Sequence, residues 1–472
     1  MMDMSSTTFP ENVAHALADS RLQYAMTETG PRFMAKRTQA REALPEFDAL
    51  RDQARDIKDH VLDHLDIYLE RYEEKVTAAG GHVHWAQTAG EAREAILSIC
   101  RKAGARMVTK GKSMISEEIE LNHFLEENGI APVETDLGEY LIQLRKEKPS
   151  HIIAPAVHLT RSQVEADFRK AHTHLDPNRD LTEIPAMVEE ARLVLRQKYF
   201  DADIGITGAN FLIAETGTSI IVTNEGNGDL TQLLPKVHIV IASIEKIVPT
   251  LEDAATILRV LARSATGQDF SNYTTLSTGP RRAGDPDGPS EYHVIILDNG
   301  RSNVLGTEFQ DMLRCIRCGA CLNHCPVYQA VGGHAYGWVY PGPIGSVVTP
   351  ALIGIEKAKH LPNASTFCGR CEEVCPMRIP LPKMLRHWRE KEFERHLQPA
   401  AMRWGIRAWA WLANRPKLYR KATALAARVL TNQAHGKGRL SKVPLASGWT
   451  QYRDFPAPQG KTFQQLWKER RS

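Results

Sequence analysis

Cys315-Ile316-Arg317-Cys318-Gly319-Ala320-Cys321-Leu322-Asn323-His324-Cys325-Pro326 is an unbroken C-x2-C-x2-C-x3-C-P run. Three thiolates at this spacing wrap one turn of chain around a corner of an iron–sulfur cubane, while the fourth points away to serve a neighbouring cluster. Gly319 permits the tight winding, and Pro326 turns the chain out of the site. Structural zinc sites set C-x2-C pairs far apart. Four cysteines packed this closely and closed by proline therefore read as iron–sulfur ligands.

A second motif follows: Cys368-Gly369-Arg370-Cys371-Glu372-Glu373-Val374-Cys375-Pro376. Aligned from its C-P end, it supplies the last three cysteines of the full pattern, and the first position falls on Ser365. Crosswise ligation assigns Cys315, Cys318, Cys321 and Cys375 to one complete [4Fe–4S] site. The other site receives Cys325, Cys368 and Cys371 and lacks a fourth thiolate. Ser365, a water or a partner's side chain are the candidates for the gap; the alternative is a [3Fe–4S] cluster. Arg317 and Arg370 lie inside the cysteine loops, either as solvated charges or as positive charge that raises cluster potential. The eighth cysteine, Cys100, falls in a helical pattern beside Ile96, Leu97 and Ile99 and reads as a buried, inert thiol.

Upstream of the cysteines, short apolar runs alternate with helical patterns. The spacing predicts strands at 82–85, 106–109, 131–133, 152–155, 203–207, 220–223, 238–242 and 292–297. Helices are expected at 88–103, 117–128 (capped by Ser116), 137–144, 161–172 and 185–200. Such alternation argues for a mostly parallel sheet covered on both faces. Phe211–Ala214 and Ser219–Thr223 read as an inserted hairpin joined through Glu215-Thr216-Gly217-Thr218. Apolar positions from Leu50 to Val76 predict one long helix over 46–79, ended by Gly80-Gly81. Residues 1 to 45 are weakly patterned and read as a loose arm. The expected organisation is an arm and helix over 1–69, an α/β domain over 70–298, an α-helical two-cluster ferredoxin-like domain over 299–385, and a basic, Trp-rich helical region over 386–472.

No G-x-G-x-x-G is present, so the dinucleotide fingerprint is absent. Lys110-Gly111-Lys112-Ser113 follows a strand and is a near-miss for a phosphate loop, since the leading glycine would be Arg106. Lys110, Lys112 and Ser113 are candidates for an anion site at the carboxyl edge of the sheet, against the plainer reading of solvated loop lysines. Glu215 is the carboxylate to test as a base.

Apolar residues make up 42% and charged residues 24% of the 472, a globular composition that excludes fibrous and mostly disordered classes. No stretch is long and apolar enough to span a bilayer, and no signal-peptide pattern opens the chain, so a cytoplasmic location is expected. The net charge of +3 hides an asymmetry. From Arg395 to Arg453 there are twelve Lys and Arg and no acid, leaving −9 for the remainder. With Trp404, Trp409, Trp411 and Trp449 interleaved, this tail is expected to dock a partner subunit first, to pack internally second, and to touch a membrane surface third. Nucleic acid ranks last, because no recognised binding motif accompanies the charge.

Several stretches together carry a family resemblance: Thr109-Lys110-Gly111-Lys112-Ser113-Met114 with Glu117-Glu118-Ile119, Glu134-Thr135-Asp136-Leu137-Gly138-Glu139-Tyr140, Glu215-Thr216-Gly217-Thr218, Asn224-Glu225-Gly226-Asn227-Gly228, and both cysteine motifs. On these the chain resembles the lactate-utilisation protein B family of bacterial iron–sulfur proteins, over nearly its whole length. The resemblance implies an α/β domain like those of glucosamine-phosphate isomerases and CoA transferases. It also implies a role in oxidising L-lactate to pyruvate as an electron carrier beside two companion proteins, A and C, with the acceptor unspecified. The short second motif is shared by the family, which establishes no catalytic residue in the α/β domain. Two other readings stand beside it: a self-contained iron–sulfur oxidoreductase whose α/β domain binds the substrate, and an iron–sulfur regulatory or DNA-binding protein.

Overall fold

In the computed structural model, residues 5–443, 447–450 and 453–471 are described. Residues 1–4 of the expected arm, and 444–446, 451–452 and 472 of the basic region, lie outside the described residues. The chain divides into two units, Met1–Lys391 and Glu392–Ser472.

The centre of the first unit is a six-stranded sheet. Its strands are β1 (His82–Ala86), β2 (Met107–Lys110), β3 (Ala131–Glu134) and β4 (Ile204–Gly208), with β7 (Val237–Ser243) and β10 (Glu291–Leu297). They lie in the order β1-β10-β7-β4-β2-β3, and every pairing is parallel. Buried on both faces, β7 reads Val-His-Ile-Val-Ile-Ala-Ser with no exposed position, as a central parallel strand must. One face packs Ile96, Leu97, Ile115 and Leu125 against the sheet; the other packs Val61, Leu69, Tyr72 and Val76. From β2 the chain runs outward to β3; from β4 it runs the opposite way to β7 and β10. The crossovers therefore diverge between β2 and β4, the place where open α/β sheets form a crevice at their carboxyl ends.

A smaller sheet of order β8-β5-β6-β9 joins β5 (Phe211–Ile213), β6 (Thr218–Thr223), β8 (Ile247–Val248) and β9 (Tyr273–Ser277). The expected hairpin is its β5–β6 pair, antiparallel with Phe211 opposite Ile220, so β6 belongs here rather than to the parallel sheet.

Several expectations need correction. The arm is helical, over Phe9–Ala18 and Ser20–Glu42. Its inward face is Ala25, Met26, Gly30, Arg37 and Ala40, in which Met26 is the one large apolar side chain, so no apolar periodicity shows. Hydrogen bonds dock it instead: Gln23 Nε2 donates to the Ala330 carbonyl at 2.8 Å and Arg37 Nη2 to that of Val374 at 2.8 Å. The long helix over 46–79 is two helices, Phe47–Asp63 and Leu65–Ala78, broken where His64 leaves helical geometry at φ −133°. The helix expected over 117–128 begins earlier, at Met114, because Ser113 rather than Ser116 is the cap, and it breaks at Glu120 (φ 52°). Residues 152–155 form no strand; Ser150 N–H bonds back to the Pro155 carbonyl at 3.0 Å, and the segment bends around the cysteine region.

The second unit contains helices Ala400–Ala413, Pro416–Gln433 and Phe463–Arg471, and a two-stranded ribbon of β11 (Arg439–Leu440) and β12 (Phe455–Pro456). No residue of Ala400–Ala413 is buried. Trp404, Trp409, Trp411, Trp449 and Trp467 are all exposed. Guanidinium groups lie over four of these rings, the closest being Arg453 at 3.7 Å from the Trp449 centroid. No helix among the described residues is long and apolar enough to cross a membrane.

Candidate iron–sulfur centre and the adjoining pocket

Cys315, Cys318, Cys321 and Cys375 line one cavity, whose other walls include Ile152, Ile316, Ile344, Met377 and Leu381. The first motif thus supplies three thiols and the second supplies the fourth. No disulfide joins any of the eight cysteines. Burial pushes the Cys318 thiol up to about 12, and neighbouring Cys375 and Cys315 add to it. Burial likewise pushes Cys371 up to about 12, with Cys325 and Cys368 adding. Cys318 thus has Cys315 and Cys375 as its thiol neighbours, and Cys371 has Cys325 and Cys368. Soft sulfur donors converging on an apolar cavity fit an iron–sulfur cluster, whose iron compensates the repulsion that thiolates alone would suffer. Cys321 feels both groups, Cys315, Cys318 and Cys375 on one side and Cys371 on the other, so the two sets lie close together.

The two motifs also share a backbone. Arg317 (φ 60°) and Gly319 (φ 72°) flank Cys318, and Phe367 (φ 54°) and Gly369 (φ 81°) flank Cys368 in the same left-handed conformations. A Cβ on Gly319 would meet His151 Cε1 at 3.0 Å. Backbone N–H groups reach the sulfurs: Arg317 donates to Cys315 Sγ at 3.4 Å, and Ile379 to Cys375 Sγ at 3.5 Å. At the departing position the repeat continues. Ser365 Oγ accepts the N–H of Phe367 at 3.1 Å. Cys325 and Cys371 are buried while Cys368 is exposed, so the second site is the more open one. Cys100 is buried in the core below the sheet, its thiol pushed up to about 12 by burial.

Arg370 is exposed and pairs with Glu373 at 2.5 Å, an ordinary surface charge. Arg317 is not. It is largely shielded, with 11% of its side chain exposed, and its guanidinium lies 4.5 Å from the Tyr340 ring centroid and 3.5 Å from Glu245. Behind it runs a chain of buried charges. Arg301 grips Glu118 at 2.9 and 2.6 Å and reaches Glu245 at 3.1 Å. Tyr340 O–H donates to Glu118 at 2.6 Å. Burial alone would raise Glu245, but Arg301, Arg317 and Lys246 more than reverse this and pull it down to about 2. The carboxylate is therefore a fixed anion holding two arginines beside the cysteine cavity.

At the carboxyl edge of the sheet a second cavity, of about 210 Å³, opens between the ends of β2 and β4. Gly111, Lys112 and Ser113 follow β2, Gly208 ends β4 and Asn210 follows it, and Lys246 follows β7. Ile152, Ile316 and Arg317 line this pocket and the cysteine cavity alike. Lys112 and Ser113 are thus where an anion site was expected, Ser113 as the cap of its helix. Lys110 is not. It is fully buried, paired with Glu134 at 2.6 Å and Glu117 at 3.1 Å, so it is neither a solvated lysine nor a ligand. Glu215 sits exposed on the β5–β6 turn and does not line the pocket. Sequence reasoning missed Lys246, although a Glu-Lys pair one residue after a mostly apolar, fully buried strand marks a carboxyl-edge loop.

Comparison with known proteins agrees with this architecture. Residues 69–297 match the LUD domain, 311–379 the 4Fe-4S dicluster domain, and 370–472 the C-terminal region of lactate utilisation protein B. Among curated proteins, lactate utilization protein B of Bacillus velezensis is 42% identical over 99% of this chain and 98% of its own. The protein of the same name from Bacillus subtilis is also 42% identical, over 99% and 98%. An uncharacterized electron transport protein of Escherichia coli, YkgF, is 41% identical over 98% and 97%. Among solved structures, a DUF162 family protein from Deinococcus radiodurans aligns with TM-score 0.26 and 18% identity, covering 49% of this chain and 98% of that one.

Proposed function

This chain belongs to the lactate utilization protein B family, and from that premise we propose that it is the iron–sulfur electron-transfer subunit of an assembly oxidising L-lactate to pyruvate. The observation that carries the reading is the shared cavity of Cys315, Cys318 and Cys321 with Cys375. It interlocks the two motifs, so that two redox centres lie side by side within one unit. Bound clusters supply one-electron carriage there; the chain's own residues set its terms. We assign Cys315, Cys318, Cys321 and Cys375 to a [4Fe–4S] site, and Cys325, Cys368 and Cys371 to a second site completed by Ser365 or left as [3Fe–4S]. Arg317 and the N–H groups on Cys315 and Cys375 stabilise added negative charge, the direction that raises reduction potential.

In this reading the exposed tryptophans and the cation-rich surface of the second unit dock the companion proteins A and C. Cations steer an acidic partner, and indoles anchor it. Free thiol ligands of this kind also suit the reducing cytoplasm.

The pocket that shares Arg317, Ile152 and Ile316 with the cysteine cavity favours a second reading, in which the α/β domain itself receives the substrate. Anaerobic assay separates the two. Reduction of an artificial acceptor by L-lactate should require chain and companions together under the first reading. Turnover by the isolated chain would support the second instead.

A further inference from the structure

We propose that the pocket at the carboxyl edge of the six-stranded sheet binds a small organic monocarboxylate, held by Lys246 and Arg317 beside the first cysteine site. Lys246 is only 7% exposed, and its ammonium lines the pocket without a hydrogen-bonding partner among the described residues. Arg317 spends one nitrogen on Glu245 at 3.5 Å, while its buried Nε and Nη1 have no protein partner. A third pocket-lining group, the buried Asn227 Oδ1, is likewise unpartnered. Buried donors left unmade carry a real desolvation penalty. Two cations sharing one concavity therefore point to an anionic occupant, and Asn227 Oδ1, an acceptor, can take a proton only from a hydroxyl beside the carboxylate.

The charge count selects its class. Lys112, Lys246 and Arg317 line the pocket together with Asp136 and Glu225, and Glu245 already holds part of the Arg317 charge, too little positive charge to suit dianionic phosphate as well as a monoanion. Lys112 Nζ gives one proton to the Ile153 carbonyl at 2.8 Å and keeps others for a ligand. Arg317 Nη1, free of any protein partner, can donate to one carboxylate oxygen while the Lys246 ammonium takes the other. Ile221, Val222, Ile241 and Leu261 form apolar wall, which an inorganic ion would leave unused. The cavity of about 210 Å³ has room for a few-carbon acid. It lies at the divergence of the crossovers, where this class of sheet binds ligands.

The site rests on the pocket; only the choice of probes rests on the lactate reading. Full-length protein, loaded with iron and sulfide and kept anaerobic, is titrated calorimetrically with pyruvate, L-lactate and inorganic phosphate. One carboxylate should bind, phosphate should not displace it, and Lys246→Met should weaken it about tenfold or more. Lys112→Gln should weaken it less. If Lys246→Met loses iron, Lys112→Gln and Asn227→Ala carry the test. The proposal is overturned by any of three results: no carboxylate binding to iron-replete protein, binding unchanged in these variants, or phosphate binding as tightly. Carboxylate binding without lactate-dependent electron flow would keep the site and remove the lactate-oxidation reading; electron flow without binding would do the reverse.

Discussion

The backbone N–H of Phe367 donates to Ser365 Oγ at 3.1 Å. This repeats the contact of the Arg317 N–H with Cys315 Sγ at 3.4 Å, in a loop whose flanking left-handed residues also match. Ser365 therefore stands, in local geometry, where the other motif has its first cysteine. A hydroxyl oxygen is a harder and weaker ligand for iron than a thiolate.

Mild oxidation of the anaerobically purified protein should consequently give a [3Fe–4S] electron paramagnetic resonance signal, and Ser365→Cys should suppress it. A wild type that shows no such signal while holding a stable four-iron count at both sites would place a strong fourth ligand elsewhere.

Cys375→Ala should empty or degrade the site of Cys315, Cys318 and Cys321 and spare the spectrum of the site containing Cys368. Iron should fall from about seven or eight per chain to about half of that. Loss confined to the Cys368 and Cys371 site would contradict crosswise ligation.

Arg317→Gln removes a largely shielded positive charge lying between the cysteine cavity and Glu245. The midpoint potential of the first site should become more negative, because the reduced cluster loses a compensating cation. A redox titration followed by paramagnetic resonance reads this directly; an unchanged potential at unchanged iron content would remove Arg317 from the tuning.

The first motif was legible because spacing along the chain limits which thiols can share a metal. Lys110 was not, since its fate is decided across strands by Glu134 and by Glu117 of the following helix. The same holds for Arg317, whose partners Tyr340 and Glu245 are remote in sequence. The helix Leu251–Ala265 lies outside the elements its sequence region predicts, although Thr250 caps it and Ala254, Ile257, Leu258 and Leu261 mark its buried face. The sheet itself was readable from its apolar runs, whereas the N-terminal helices hide behind a docking face of alanine, glycine and arginine.

Acid should destabilise the fold well above the carboxylate range. His238 is buried in β7, its Nε2 2.8 Å from Thr207 Oγ1, and burial lowers it to about 3. Unfolded, it binds a proton below about 6.5, so the unfolded state gains protons first and stability falls as pH drops. Between pH 7 and 5 the loss from this residue is about 2 kcal/mol. Denaturant titrations should show His238→Gln flattening the profile by roughly that amount; an identical slope in the variant would mean that the imidazole is protonated in the native state.

Truncation before Arg403 should leave iron content unchanged while abolishing copurification of the companion proteins. Loss of iron would make the tail part of the fold, and retained copurification would remove it from docking.

The most direct measurement is a freeze-quench paramagnetic resonance experiment on the chain assembled with its companions, mixed anaerobically with L-lactate. The account predicts that a reduced [4Fe–4S] signal, abolished by Cys318→Ala, grows in at the rate of pyruvate formation. Pyruvate formed at full rate while the clusters of this chain stay oxidised, with the Cys318→Ala assembly equally active, would contradict it.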